Sequence, residues 1–419
     1  MTKLPSEIRA VLDGNSEGCI VCADCLDILP LMPDGCVDAV ATDPPYGLKF
    51  MGKHWDCDVP STDIWKEVLR VLKPGGHLLS FFGTRTYHRG VVAIEDAGFE
   101  IRDMISWVYG SGFPKSLDVS KAIDKMKGAD REATPVGKPV KRMIPGADQN
   151  ATGSWIKDNG REYQPRKEVP ATAEAEQWDG WGTALKPACE PIVVARKPLI
   201  GTVAKNVMEH GTGALNIDGC RIPLNGDYKC GANGRPSQTG LGDHYNSAKA
   251  NQHSEVGRWP ANLIHDGSEE IVGAFPQTSP SRQGLPRTGK NGDGWGMKAT
   301  GAEYADSGSA ARFFYCAKAS RSERTCGGRV ENKHATVKPL ALMRYLCRLA
   351  TPPGGLVLDP FCGSGSTLLA ARDEGFRFLG LDREQDYCQI AKDRLTALDT
   401  GVPVKEARAG QQPLFPVEG

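Results

Sequence analysis

Leu358-Asp359-Pro360-Phe361-Cys362-Gly363-Ser364-Gly365-Ser366-Thr367 reads as a strand that runs into a Gly-x-Gly turn and leaves it as a helix. Glycines let a backbone approach a ligand closely, and a helix N-terminus favours an anionic group. The next apolar run, Phe376–Leu381, predicts a second strand, which ends at Asp382. A carboxylate in that place can accept hydrogen bonds from two ribose hydroxyls, as in dinucleotide folds. Leu368 stands where the third glycine of G-x-G-x-x-G would fall. The turn alone is therefore weak evidence, and a plain tight turn stays open as a reading.

Strand and helix alternate on both sides of this stretch and again near the N-terminus. Helices at Pro339–Ala350, Ser366–Glu374 and Glu384–Leu398 surround strands at Leu356–Leu358 and Phe376–Leu381. Further strands fall at Cys19–Ala23, Val37–Thr42, His77–Phe82 and Ile101–Tyr109, with helices at Asp63–Leu72 and Tyr87–Ala97. Lys73-Pro74-Gly75-Gly76 stops the first of these helices and Gly98 the second. Such alternation implies an α/β fold with a parallel, doubly wound sheet. Between the two halves, residues 110–333 are rich in Gly, Pro, Asn and Ser, and Pro191–Ala195 is the clearest strand there. Loops this long are functional or disordered. Trp155, Trp178, Trp181, Trp259 and Trp295 argue against simple disorder.

Thr42-Asp43-Pro44-Pro45-Tyr46 directly follows the Val37–Thr42 strand. Ligands in open α/β sheets bind beyond the carboxyl ends of strands, so this loop belongs at the active edge. Two prolines stiffen it. A carboxylate and a main-chain carbonyl can then point at one amino group, and the aromatic ring can stack a planar base. A rigid turn with a capping Asp is the plainer alternative.

Together the two motifs resemble those of the amino-methyltransferases of DNA, whose cofactor loop reads D-P-F-x-G-x-G and whose catalytic loop reads D/N/S-P-P-Y/F/W. Asp359–Gly365 and Asp43–Tyr46 match residue for residue, and 334–340 (HATVKPL) matches the Thr/Lys-Pro segment ahead of the cofactor loop. The catalytic loop comes first and the cofactor loop last, which resembles the circularly permuted beta group. Stretches 110–124 and 182–196 also look like segments of related phage and bacterial enzymes, so the resemblance covers most of the chain except the tip of the insertion and the tail. It implies a circularly permuted Rossmann-like S-adenosylmethionine-dependent methyltransferase sheet with a large irregular target-recognition insertion. The implied parts are a catalytic half at 19–110, an insertion at 111–186 and a strand of the catalytic sheet at 187–200. A target-recognition region at 201–333, a cofactor half at 334–398 and a disordered tail at 399–419 follow. The permutation would cut the fold between the strands Phe376–Leu381 and Cys19–Ala23.

The same resemblance implies a site-specific DNA methyltransferase acting on the exocyclic amine of adenine, flipped out of the duplex. Asp43, Pro44, Pro45 and Tyr46 would be catalytic. Asp382 would bind the cofactor ribose, Asp24 would approach its adenine, and Lys338 would lie near its methionine carboxylate. Thr336, Asp359, Phe361, Gly363, Gly365 and Thr367 complete the expected cofactor site. The Pro-Cys dipeptide of enzymes that methylate a cytosine ring carbon is absent, so no cysteine nucleophile is expected. Methylation of the cytosine amine is the nearest rival, although the cytosine enzymes more often carry Ser where Asp43 stands. An RNA or protein methyltransferase and an inactive DNA-binding relative are the more distant ones. No nuclease-like motif is evident, so a restriction partner would be a separate chain.

Lys and Arg number 51, as do Asp and Glu, so a phosphate-binding surface must be local rather than global. Between Arg312 and Arg348 nine basic residues face only Glu323 and Glu331. Arg312, Arg321, Arg324 and Lys333 are the candidates for contact with the backbone of double-stranded DNA. Thirteen cysteines are scattered; Cys19, Cys22 and Cys25 lack a nearby fourth ligand, so thiols rather than a metal site are expected. No apolar run reaches the roughly 18 residues of a membrane helix. Residues 1–15 lack a signal-peptide core, so a cytoplasmic protein is expected. The tail segment Gln411-Gln412-Pro413-Leu414-Phe415 resembles the peptide by which bacterial proteins dock on the replication sliding clamp. Members of the beta group often dimerise, and a homodimer is expected on that ground.

Overall fold

The computed structural model describes residues 3–48, 58–110, 112, 116–141, 162–223, 257–279, 307–317, 323–332, 334 and 337–400. It divides into two compact units, Met1–Gly110 with Cys189–Gly419, and Ser111–Ala188. The first unit begins with α1 (Ser6–Leu12), β1 (Gly18–Cys22) and the short α2 (Cys25–Ile28). β2 (Val37–Thr42), α3 (Thr62–Val71), β3 (Leu72–Phe81), α4 (Tyr87–Asp96) and β4 (Glu100–Val108) follow. α3 buries Trp65, Val68 and Val71, an apolar stripe at helical spacing. β2 is buried along its whole length, as a strand covered on both faces must be. β3 starts at Leu72 and takes in Lys73-Pro74-Gly75-Gly76, where the sequence suggested a break. The pairing with β2 jumps there, from Val37↔Leu72 to Ala39↔His77. The buried Asn206 amide holds the turn by donating to the Pro74 carbonyl at 2.8 Å.

The second unit contains α5 (Val119–Lys127), β5 (Ala133–Pro135), β6 (Val140–Lys141), β7 (Glu162–Tyr163), β8 (Arg166–Glu168) and α6 (Ala173–Gln177). β5 pairs with β8 and β6 with β7, both antiparallel. Asp118 caps α5, and Gly128 ends it in the left-handed region at φ 64°. Buried Asp124 binds Arg131 at 2.7 Å and accepts from the Thr172 hydroxyl at 2.8 Å, tying α5 to the start of α6.

The first unit resumes with β9 (Cys189–Arg196), α7 (Val203–His210), β10 (Leu263–His265), α8 (Glu269–Ala274), β11 (Gln277–Thr278) and β12 (Gly308–Ser309). β13 (Tyr315–Cys316), α9 (Leu340–Ala350), β14 (Leu356–Asp359), α10 (Ser366–Asp373), β15 (Arg377–Asp382) and α11 (Gln385–Thr400) complete it. Nine of its strands form one sheet in the order β1-β15-β14-β2-β3-β9-β4-β10-β13. Neighbours are parallel throughout except that β9 is antiparallel to both β3 and β4. Alternate residues feed two cores. Ala39, Ala41, Leu79, Phe81, Ile192 and Val194 pack with α9 and α10. Val37, Val40, Leu78, Val193 and Ala195 pack with α1, α3 and α4.

β1 pairs with β15 in register from Gly18↔Phe378 to Cys22↔Asp382, so strands from the first and last parts of the described sequence are neighbours in the sheet. Among the described residues no helix is long and apolar enough to cross a membrane.

Candidate active site

The order β1-β15-β14-β2 places four carboxylates at one edge, each at or just beyond the end of one of four neighbouring parallel strands: Asp24, Asp382, Asp359 and Asp43. Segments more than 300 residues apart are joined there, because the Thr42 hydroxyl donates to Asp359 Oδ1 at 2.6 Å. That bond fixes the loop after β2 against the turn after β14.

Asp359 is 2 % exposed. Burial raises its pKa to about 7, and hydrogen bonds from Thr367, Thr42 and the Phe361 amide only partly oppose the rise. Gly363 adopts φ 49° and Gly365 φ 79°, both in the left-handed region. A Cβ on Gly363 would come within 2.8 Å of His334 Nε2. The Gly363 amide donates to Asp382 Oδ2 and the Glu384 amide to Asp382 Oδ1, each at 2.8 Å. Burial raises the pKa of this carboxyl too. Phe361 meets Trp65 edge to face at 6.3 Å. Asp24 caps α2 by accepting from the Leu26 amide at 2.9 Å. Behind the glycine turn lies a residue that the sequence motifs do not reveal: Arg394, fully buried, donates to the Ser364 carbonyl at 2.7 Å.

These features fit S-adenosylmethionine. Each Asp382 oxygen retains acceptor capacity beyond the one amide it binds, which suits a ribose diol. At Gly363 and Gly365 the turn has no side chain to hold a ligand off. Asp382, the Gly363–Gly365 backbone, Phe361 and Asp24 are the groups that would hold the cofactor.

The loop after β2 carries a second cluster. Tyr46 hydroxyl lies 2.7 Å from Asp43 Oδ1 and 3.0 Å from Glu190 Oε2. Lys338 Nζ donates to Asp43 Oδ2 at 2.6 Å and to the Tyr46 hydroxyl at 3.1 Å, and lies 3.1 Å from Glu190 Oε2. Tyr109 hydroxyl lies 3.3 Å from Glu190 Oε1. Burial alone would lower the Lys338 pKa, but Asp43 and Glu190 overcome it and hold the ammonium above the usual lysine range. Burial first, then the two carboxylates, push the Tyr46 hydroxyl well above its usual range. Lys338, which the family resemblance associated with the cofactor carboxylate, thus sits on Asp43. Pro44 is buried, and the Thr86 hydroxyl donates to the Tyr46 carbonyl at 2.6 Å, which anchors the far end of the loop.

Glu190 has no place in either sequence motif. It lies at the beginning of β9, and because β9 runs antiparallel, its beginning falls at the edge where the parallel strands end. An acidic residue directly ahead of the apolar Pro191–Ala195 run was the available signal, but the direction of the strand was not.

The basic stretch is less free than its sequence suggests. Arg312 donates to the Gly308 and Ser309 carbonyls at 2.7 and 2.8 Å. Arg324 donates to the Asn332 carbonyl at 3.3 Å and to that of His334. Arg344 and Arg348 pair with Asp373 and Glu374 of α10 and its C-terminal end. Arg321, Lys333 and Thr336 lie outside the described residues, as does the clamp-like segment 411–415. Cys22 is exposed at the end of β1, while Cys25 is buried.

A DNA methylase family, that of the N6/N4 methyltransferases, matches residues 37–393, from β2 into α11. The chain belongs to this family. Type II methyltransferase M.HindIII of Haemophilus influenzae is 24% identical over 333 residues, 78% of this chain and 66% of that protein. Type II methyltransferase M2.DpnII of Streptococcus pneumoniae is 45% identical over 65 residues, 16% of this chain and 24% of that protein. The chain thus spans just under two thirds of the length of the first relative and about a quarter of the second. Among solved structures, PvuII DNA methyltransferase (cytosine-N4-specific) aligns over 95% of this chain and 94% of that one, at 13% identity and a TM-score of 0.43. The M1.HpyAVI complex with S-adenosylmethionine aligns over 90% of this chain and 99% of that one, at 15% identity and a TM-score of 0.38.

Proposed function

We propose that this protein transfers the methyl group of S-adenosylmethionine to the exocyclic amino group of adenine at a specific site in double-stranded DNA. The observation that carries this reading is the Thr42–Asp359 hydrogen bond, which sets the Asp43–Tyr46 loop directly beside the cofactor turn. When bound, S-adenosylmethionine supplies an electrophilic methyl group, whose acceptance by a neutral amine leaves a positive charge on that amine until a proton departs.

An exocyclic amine is a poor nucleophile because its lone pair is delocalised into the ring. Asp43 and the Pro44 carbonyl accept its two N–H bonds and so favour a more tetrahedral nitrogen with a localised lone pair. Both Asp43 oxygens already accept one hydrogen bond, and each has a second acceptor site for the substrate. The protein contributes mainly position and electrostatics, where rate gains are large. The target atom is out of reach inside a duplex, so the base is flipped at a cost of a few kcal/mol. Stacking on the Tyr46 ring returns about 1–3 kcal/mol of that cost. Residues 111–186 and 201–333 are assigned to sequence recognition, through side chains that read base edges.

Methylation of the cytosine amine is the second reading, because the same loop geometry would serve it; Asp at position 43 favours adenine. Expression in a methylation-deficient bacterium, followed by long-read sequencing of native DNA, tests the assignment. A new adenine mark at one short motif, absent with Asp43→Ala, is expected. A mark on the cytosine amine would overturn the choice of base, and no mark from folded protein would overturn DNA as the substrate.

A further inference from the structure

Asp43 is the carboxylate proposed to meet the target amine, yet the Lys338 ammonium lies 2.6 Å from it. An ammonium that close cancels most of the charge that Asp43 could offer to an amine becoming cationic. Glu190 changes the balance. Its Oε2 lies 3.1 Å from the same ammonium, and the three side chains together carry one net negative charge. All three are shielded, with side-chain exposures of 8 % for Lys338, 21 % for Asp43 and 19 % for Glu190, so the charges act at low effective dielectric. The Tyr109 hydroxyl donates to Glu190 Oε1 at 3.3 Å, and the single proton of the Tyr46 hydroxyl is shared between Asp43 Oδ1 and Glu190 Oε2.

We infer that Glu190 is a positioning residue that shares the Lys338 ammonium and thereby leaves the charge of Asp43 available to the target amine. This rests on the proposed amino-methyl transfer. Glu190 acts through Lys338 and Tyr46 and does not touch the substrate. With Glu190 neutral, Lys338 is left to Asp43 alone, the cluster carries no net charge, and the developing cation loses its counter-charge.

Glu190→Gln tests the inference, with kcat and KM measured at saturating S-adenosylmethionine and DNA. The expected result is a fall in kcat of about a hundredfold, with KM for S-adenosylmethionine changed less than about twofold. Glu190→Asp, which keeps the charge, should recover most of the loss. In a Lys338→Met background the same Glu190→Gln change should cost less than about threefold, because the ammonium it balances is gone. The cofactor-free protein gives a readout independent of turnover. Followed by NMR, Lys338 should lose its proton at lower pH in Glu190→Gln than in wild type. An unchanged kcat would overturn the inference. So would a loss that Glu190→Asp does not relieve, or an equal loss with and without Lys338, since either would mark Glu190 as a packing residue. A wild-type protein that methylates no DNA would count against the proposed function, whereas the Lys338 titration would still decide whether Glu190 governs that ammonium.

Discussion

Asp43 and Asp359 stand at neighbouring strand ends, but their surroundings set them to different tasks. Asp43 is partly open and shares the Lys338 ammonium. Replacing it with Asn keeps an acceptor oxygen but removes the charge. A fall in kcat of about 10²–10³-fold is expected from Asp43→Asn, with S-adenosylmethionine affinity unchanged by calorimetry. Asp359 is sealed, and its folded pKa of about 7 lies above its ordinary 3.8, so the folded state holds the proton more tightly than the unfolded chain. The stability this contributes is complete below the ordinary pKa and is lost as pH rises to about 7. In cofactor-free protein, the melting temperature of wild type relative to Asp359→Asn should therefore fall between about pH 4 and about pH 7. A relative stability that rises over that interval would contradict the burial-driven shift.

Backbone shape is expected to bear on cofactor binding at the turn between β14 and α10. Gly365 has φ 79°, and a Cβ there would lie 2.8 Å from the Ala391 Cβ, so alanine is both strained and crowded. Gly365→Ala is expected to weaken S-adenosylmethionine binding by about tenfold or more, measured by calorimetry. Gly375 is the control. Its φ is 76° with nothing within 4 Å of an added Cβ, so alanine there carries backbone strain alone and should leave binding unchanged. Equal effects of the two changes would show that the turn acts through stability and not through the site. β2, β14 and β15 were legible in the sequence because each is an apolar run that stops at a motif. β10 and β13 were not: they are three and two residues long, and their pairing partners rather than any local pattern make them strands. The reversed direction of β9 was equally hidden, since a strand reads alike in either sense. Glu190 was missed for that reason alone, although its neighbours Pro191–Ala195 were recognised as a strand. Arg394 was missed because its contact with the Ser364 carbonyl depends on how α11 packs behind the turn.

The order of the motifs along the chain and their order in space differ. The catalytic loop precedes the cofactor turn by more than 300 residues, yet β2 and β14 are hydrogen-bonded neighbours. β1 likewise pairs with β15, although the two strands lie far apart in the sequence. The zero net charge directs attention from overall electrostatics to the local site, where one net negative charge stands ready for an amine that becomes cationic. We propose that this charge serves methyl transfer to an exocyclic amine of DNA. Mass spectrometry of nucleosides, from DNA incubated with the purified protein and isotope-labelled S-adenosylmethionine, decides this. Labelled N6-methyladenine is the expected product, abolished by Asp43→Ala; label on a ring carbon of cytosine, or label that survives loss of Asp43, would rule out this role for the Asp43 loop.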